Sequence, residues 1–148
     1  LQRVNKQKIG PKFYYLKNGQ LCMEYVDGVP IGDYLEKHSF SPTLAKEILD
    51  QCRVLDKLRV NKFEMHHPTK HIFIKSGKPS RKTVVMIDFE RCRWTEKPKN
   101  VPQFVQFLQR FRSFKADIST YLTDYKRKQS EFHYRKLFKQ LFPSSFED

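Results

Sequence analysis

A polar stretch in the middle of the chain contains three of its five histidines together with a carboxylate, groups that could transfer protons or bind a metal: Glu64, His66, His67 and His71. Imidazole and carboxylate groups together are common ligands of Zn²⁺. The stretch lacks the i, i+4 histidine pair of a metalloprotease helix, and Pro68 would break such a helix. No cysteine lies within it. The pattern therefore argues against a dedicated zinc site here.

Two further carboxylates follow apolar segments on either side of this stretch. Asp27 precedes Gly28 at the end of one segment, and Asp88 follows the apolar run 84–87. Taken singly, each is most simply a turn or the solvent-exposed end of a strand. Their order, with the polar stretch 64–71 between them, is more informative than any one of them.

The charge of the chain also indicates a preference for anions. Lys and Arg total 29 against 16 Asp and Glu, which gives a formal net charge of +13. The excess is largest in residues 51–100, which contain 13 basic and 5 acidic side chains. Such a field attracts phosphate on a nucleotide, a nucleic acid or a phosphoprotein. The alternative is a solvated basic face without a specific ligand.

Two β-hairpins are predicted beside the candidate residues. The runs 12–17 and 20–26 are apolar and aromatic, and Asn18-Gly19 between them is a strong two-residue turn signal. The runs 71–75 and 83–89 are rich in β-branched and apolar residues and are predicted to pair across the turn 76–82.

Helices are predicted for most of the remaining chain. A short helix is expected over 31–38, and a longer one begins after the capping residue Ser41 and ends near Arg59. Residues 60–71 are predicted to be a loop. From Val101 onward, aromatic and aliphatic residues at helical spacing predict two or three helices around an apolar core. The predicted fold class is α+β, mostly helical with two small β-hairpins.

Several segments, in this order, resemble a predicted archaeal serine/threonine protein kinase family related to the RIO-like atypical kinases. The matching stretches are RVNKQKIGPKF at 3–13, MEYVDG at 23–28, ILDQCRVLDKL at 48–58, FEMHHPTKHIFI at 63–74 and MIDFERC at 86–92. The resemblance implies a protein-kinase-like C-terminal lobe over 29–148, with the end of the N-terminal lobe and the hinge over 1–28. It also implies a glycine-rich loop, a strand lysine and a helix glutamate upstream of residue 1.

The resemblance implies a role for each candidate side chain. Asp88 matches the aspartate that binds Mg²⁺ against the nucleotide phosphates. Glu64 occupies the position of the catalytic carboxylate, which orients or deprotonates the acceptor hydroxyl. Lys70 matches a lysine that contacts phosphate, and His71 stands where kinases have a metal-binding asparagine.

The same resemblance implies a binding site for ATP at the hinge. Met23 would lie at the back of the adenine pocket, and Glu24 and Val26 would offer a backbone carbonyl and a backbone amide to the adenine edge. The implied activity is phosphoryl transfer from Mg²⁺·ATP to a serine or threonine hydroxyl. The implied partners are a protein substrate or another phosphate-bearing molecule.

Departures from the kinase pattern leave two alternatives open. Glu64 stands for an aspartate and Glu90 for a glycine, and the imidazole of His71 suits softer metals than Mg²⁺, so one alternative is a catalytically inactive kinase-like protein. The other is a module that binds RNA or DNA through its basic face. A pI near 9.8 and the Lys-Arg-Lys run at 126–128 favour it. The helical spacing of the aromatic residues is more typical of a core.

Other features bear on the location of the protein. No run approaches the roughly 18 apolar residues of a membrane-spanning helix, and the first residues lack the apolar core of a signal peptide. Cys22, Cys52 and Cys92 are widely spaced and form no CxxC pair, which argues against a disulfide framework. We therefore expect a cytoplasmic protein without membrane contact.

Overall fold

The computed structural model describes residues 1–75 and 83–146. The chain divides into two compact units, the first made of Leu1–Ser39 and Pro68–Cys92 and the second of Phe40–His67 and Arg93–Asp148. Helices account for 45% of the residues and strands for 17%, which confirms the α+β class. Among the described helices, none combines the length and apolarity needed to cross a membrane. The predicted turn 76–82 lies outside the described residues.

The first unit begins with a short helix and an antiparallel hairpin. Helix α1 covers Gln2–Asn5, strand β1 covers Phe13–Lys17, and strand β2 covers Gln20–Met23. Asn18 and Gly19 between the strands have φ angles of 51° and 73°. Two consecutive residues in the left-handed region define the turn type whose twist matches that of the paired strands. The predicted first hairpin is confirmed, although β2 ends three residues earlier than expected.

A three-stranded antiparallel sheet forms the rest of the first unit. Strand β3 covers Gly28–Pro30 and leads into helix α2 at Ile31–Lys37, as the sequence predicts for the helix. The sheet order is β3-β5-β6, in which β5 is Ile72–Lys75 and β6 is Val84–Met86. The predicted pairing of the second pair of strands is confirmed, but β3 was not predicted. A Cβ on Gly28 would lie 2.6 Å from the carbonyl oxygen of Ile74, so only glycine permits this close pairing.

The second unit is built around one long helix. Helix α3 covers Pro42–Lys57, and the Ser41 hydroxyl at its N-cap accepts a hydrogen bond from the amide of Leu44 at 3.2 Å. The cap and the predicted end near Arg59 are confirmed within two residues. After α3, strand β4 (Val60–Asn61) pairs with β7 (Arg93–Trp94), so the segment predicted as a loop begins with a short strand.

Three helices complete the second unit: α4 at Asn100–Leu108, α5 at Ser119–Arg127 and α6 at Glu131–Leu141. A 3₁₀ turn at Arg112–Phe114 lies between α4 and α5, and another at Pro143–Phe146 follows α6. The predicted apolar stripes are largely core, since the fully or almost fully buried side chains include Phe104, Phe107, Leu108, Tyr125, Leu137 and Leu141. The phenyl rings of this unit pack edge to face around Phe40.

A buried polar network joins these helices. Asp56, near the end of α3, accepts hydrogen bonds from the backbone amide and the side-chain amide of Asn100, at 3.0 and 2.8 Å. It also accepts from the amide of Val101 at 3.3 Å and from the hydroxyl of Tyr125 at 2.6 Å. The carboxylate therefore satisfies the first amides of α4, which have no partner within their own helix. Burial raises the pKa of Asp56, and these hydrogen bonds oppose the rise.

Candidate functional site

A cleft of about 320 Å³ lies within the first unit. Its lining is largely apolar and comes from the start of the chain, from the hairpin and from the segment that follows β6: Leu1, Gln2, Pro11, Phe13, Leu16, Leu21, Met23, Asp88, Phe89 and Glu90. Two of the residues singled out in the sequence, Met23 and Asp88, therefore line the same cleft although they are far apart in the chain. Glu24 and Val26 are not part of this lining.

The pairing of β5 with β6 brings His71 and Asp88 together. Ile72 lies opposite Met86 in the ladder, and the amide of Ile87 donates to the carbonyl of His71 at 2.9 Å. The two side chains then meet just beyond the strands, with 3.0 Å between His71 Nδ1 and Asp88 Oδ2. Sequence order alone did not predict this contact.

The geometry gives His71 and Asp88 different chemical capacities. Because His71 Nδ1 faces the carboxylate at 3.0 Å, the imidazole orients Asp88. The side chain of Asp88 is 46% exposed, so the carboxylate is accessible to a hard cation, which prefers oxygen ligands. Across residues 1–75 and 83–146, no three His, Cys, Asp or Glu side chains cluster closely enough to hold a metal ion by themselves.

Two of the segments that carry the resemblance pack against each other. Gly10 has a φ angle of 80°, and a Cβ built on it would lie 2.8 Å from Cε2 of Phe89. The ring of Phe89 thus occupies the space over the glycine, beside Asp88. A glycine is required here both by the backbone conformation and by this contact. The sequence contained both residues but no signal that they touch.

Asn5 shapes the loop that connects α1 to the hairpin. Its side-chain amide donates to the carbonyls of Ile9 and Pro11, both at 2.9 Å, and its oxygen accepts from the amide of Phe13 at 2.6 Å. One side chain therefore fixes three backbone groups of the segment that lines the cleft. Its role was missed because such local side-chain bonds leave no periodic pattern.

Glu24 acts through its side chain as well as its backbone. Its amide donates to the carbonyl of Lys12 at 2.8 Å, and its carboxylate accepts from the amide of Lys12 at 3.0 Å. The carboxylate also lies 3.4 Å from Nζ of Lys75 on β5. The hydrogen bond from the Lys12 amide, assisted by the charge of Lys75, lowers the pKa of Glu24. The backbone amide of Glu24 is therefore already engaged within the hairpin.

We expect Glu24→Gln to change how stability depends on pH. The folded state holds the pKa of Glu24 below its usual value, so the ionised carboxylate stabilises the fold above the unfolded-state pKa, about 4.3, and loses this effect as pH falls through the folded-state value. The wild type should therefore exceed the variant in unfolding free energy near pH 7, and the gap should close towards pH 3. Urea unfolding across this range measures it.

A suitable control is Glu36→Gln, which neutralises an exposed carboxylate on α2. It should leave the pH profile of unfolding close to that of the wild type. If the unfolding free energies of the wild type and Glu24→Gln differed by the same amount at pH 3 and at pH 7, the ionised carboxylate would not have the stabilising role assigned to it.

The remaining candidates are placed as follows. Lys70 is exposed in the turn before His71, and Val26 is half-buried between β2 and β3. Glu64 belongs to the second unit and is exposed. Its φ angle is 56° and that of Phe63 is 63°, so two successive residues other than glycine adopt the left-handed conformation. Such conformations are uncommon outside glycine.

Comparison with known proteins adds no family assignment. No protein-family model matches the chain. A search of curated proteins likewise finds no match.

Proposed function

We propose that the protein is an ATP- and Mg²⁺-dependent serine/threonine protein kinase whose chain here contributes a kinase-like C-terminal lobe. The observation that supports this most directly is the cleft of the first unit. Met23, which the resemblance places at the adenine, and Asp88, which it places at the metal and phosphates, both line this cleft. A nucleotide needs such a combination of apolar surface and charge at one site.

The lining suits the two chemically different parts of ATP. The apolar side chains of the hairpin, such as Phe13 and Leu21, offer a surface for a flat heteroaromatic ring. The accessible oxygen of Asp88 would bind Mg²⁺, which completes its coordination with phosphate oxygens and water. His71 would orient the carboxylate rather than bind the ion, because Mg²⁺ prefers oxygen over imidazole nitrogen. Lys70, exposed on the neighbouring turn, would contact a phosphate.

Asp88 and Glu64 both adopt the left-handed backbone conformation, with φ angles of 63° and 56°. Aspartate tolerates this conformation better than most residues other than glycine, and Lys8, Asn18, Arg59 and Phe63 adopt it as well. The resemblance gives Glu64, in the second unit, the role of the catalytic carboxylate that orients or deprotonates the acceptor hydroxyl.

Substitution of Met23 tests the proposed nucleotide site. Met23→Glu removes apolar surface from the cleft and adds a negative charge that repels the phosphates of ATP. We expect the dissociation constant of Mg²⁺·ATP to rise by at least about tenfold, which corresponds to roughly 1.4 kcal/mol. Fluorescence titration with a ribose-labelled ATP analogue, displaced by unlabelled ATP, measures this.

Tyr25→Glu is the matched control. It introduces the same charge two residues away, at a residue that is 87% exposed and does not line the cleft. Its affinity for Mg²⁺·ATP should stay within about twofold of the wild type, a difference of roughly 0.4 kcal/mol. If both variants lost the same affinity for Mg²⁺·ATP, or if Met23→Glu lost none, the cleft would not be the nucleotide-binding site.

A further inference from the structure

A second concave surface, the lysine groove, lies within the second unit. Its volume is about 500 Å³. The segment before α4 contributes Lys97, Pro98 and Lys99, α4 contributes Pro102, Gln103 and Gln106, and His66, Lys126 and Gln129 complete the lining. The groove includes part of the Lys-Arg-Lys run that the sequence indicated as a possible contact for nucleic acid.

Hydrogen bonds hold the cationic segment of the groove in place. The amide of Lys99 donates to the side-chain oxygen of Asn61 at 2.8 Å, and Gln129 Nε2 donates to the carbonyl of Pro98 at 2.7 Å. The backbone of this segment is thereby fixed while the side chains of Lys97 and Lys99 remain exposed. The three ammonium groups are thus displayed from ordered backbone.

The charge of the lysine groove selects an anion. Among the described residues its lining contains three lysines and no carboxylate. A groove of one sign concentrates ligands of the opposite sign. Its size accommodates a few linked groups rather than a large surface, since clefts of roughly 300–1,000 Å³ take ligands the size of a small molecule. A cleft of this size contacts a few nucleotides of one strand rather than the full width of a duplex.

The types of side chain distinguish between possible anions. Phosphorylated peptides are typically recognised by arginine clusters, whose forked geometry matches a phosphoryl group, and no arginine lies in the described lining. Lysines act as point charges and suit the repeating charges of a phosphodiester chain. Glutamine amides can both donate to and accept from the edges of bases. The oxygen of Gln103 is shielded from solvent and has no hydrogen-bond partner among the described residues, so a base amino group could pair with it after the side chain rotates.

We propose that the lysine groove binds single-stranded nucleic acid, with Lys97, Lys99 and Lys126 at the phosphates and the glutamine amides at the base edges. The two aromatic side chains Phe104 and Phe107 of α4 do not take part by stacking, because both are buried in the core. This binding is independent of the nucleotide cleft in the first unit and of the proposed phosphoryl transfer.

The test uses fluorescein-labelled octamers of uridylate RNA and of thymidylate DNA, titrated with the protein at 50 to 200 mM KCl. With three phosphate contacts, a plot of the logarithm of the association constant against the logarithm of salt concentration should have a slope of about −2. The association constant should therefore fall roughly 20-fold between 50 and 200 mM KCl. The triple variant Lys97→Ala, Lys99→Ala, Lys126→Ala should lose at least about tenfold in affinity at 50 mM and should have a slope near zero.

A charge-matched triple variant keeps the test specific. Lys6→Ala, Lys17→Ala and Lys115→Ala remove the same charge from exposed positions outside the groove and should leave affinity within about twofold and the slope unchanged. Gln103→Ala with Gln106→Ala should alter the preference between uridylate and adenylate octamers without changing the slope. Circular dichroism establishes that each variant is folded.

Three results would overturn the proposal. Equal losses in both triple variants would mean that only net charge attracts the octamers. Absence of octamer binding at 50 mM KCl would remove nucleic acid as the ligand. Tighter binding of a phosphoserine peptide of equal charge, lost in the groove variant, would assign the groove to phosphopeptides instead. Binding of the RNA octamer or of the DNA octamer through these lysines supports the proposal. The ratio of the two association constants shows which nucleic acid the groove prefers.

Discussion

Replacing Asp88 by asparagine is expected to lower phosphoryl transfer by at least about 100-fold, because the proposed Mg²⁺ ligand loses its charge. Asparagine is the appropriate substitution for two reasons. It tolerates the left-handed backbone that Asp88 adopts at φ 63°. Its amide oxygen can also accept the hydrogen bond that His71 Nδ1 makes to the carboxylate at 3.0 Å. The variant should therefore remain folded while it loses the metal.

The measurement is transfer of the labelled γ-phosphoryl group, to the protein itself or to a basic protein acceptor, at a series of Mg²⁺ concentrations. Asp33→Asn is the control, since Asp33 is an exposed carboxylate in the first turn of α2. It should retain wild-type turnover. Full turnover by Asp88→Asn would exclude Asp88 as the metal ligand and would leave the kinase assignment without its central residue.

Replacing Asp56 by alanine is expected to cost about 3–5 kcal/mol of unfolding free energy. The carboxylate is almost fully buried and accepts four hydrogen bonds from three residues: Asn100, Val101 and Tyr125. Each buried donor left without a partner costs roughly 1–3 kcal/mol, though these costs are not additive. The alanine would also leave a small cavity. Urea unfolding followed by far-UV circular dichroism measures the loss.

Asp50→Ala is the matched control for this measurement. Asp50 lies on the same helix, is exposed, and accepts one hydrogen bond, from the Tyr134 hydroxyl at 2.9 Å. Its loss should cost about 1 kcal/mol. Tyr125→Phe should lose an amount of unfolding free energy between those of Asp50→Ala and Asp56→Ala. It removes one donor to Asp56 and leaves the amides of α4 paired with that carboxylate. A loss in Asp56→Ala no larger than in Asp50→Ala would contradict the structural role of the network.

Local signals predicted the elements that depend on neighbours in the chain. The turn at Asn18-Gly19, the cap at Ser41 and the helical stripe of α3 were all recognised, because turn chemistry, capping and helical periodicity act over a few residues. The helices after Val101 were recognised for the same reason. The prediction of a loop over 60–71 failed at its start, because β4 has two residues and exists only through its pairing with β7.

The candidate site was predicted residue by residue but not as an arrangement. The sequence indicated Met23, His71 and Asp88 separately, and their order suggested the kinase resemblance. It did not show that Met23 and Asp88 line one cleft or that His71 contacts Asp88. The lysine groove was anticipated only as a general basic character, since its lysines lie on segments separated by a helix and a 3₁₀ turn. The kinase activity, Glu64 as catalytic carboxylate and the division at residue 28 stay predictions.

The sequence by itself determined the α+β class, the first hairpin and the principal helices, and it supplied the side chains that we propose to act on phosphate. Only the tertiary structure decided which of those side chains meet. Asp56 supports the first amides of α4 from 44 residues away, Phe89 packs over Gly10, and strand pairing aligns His71 with Asp88. The physical reason is that capping, turns and periodicity are short-range along the chain. Contacts between distant segments depend on burial and strand register, and no local pattern of residues specifies them.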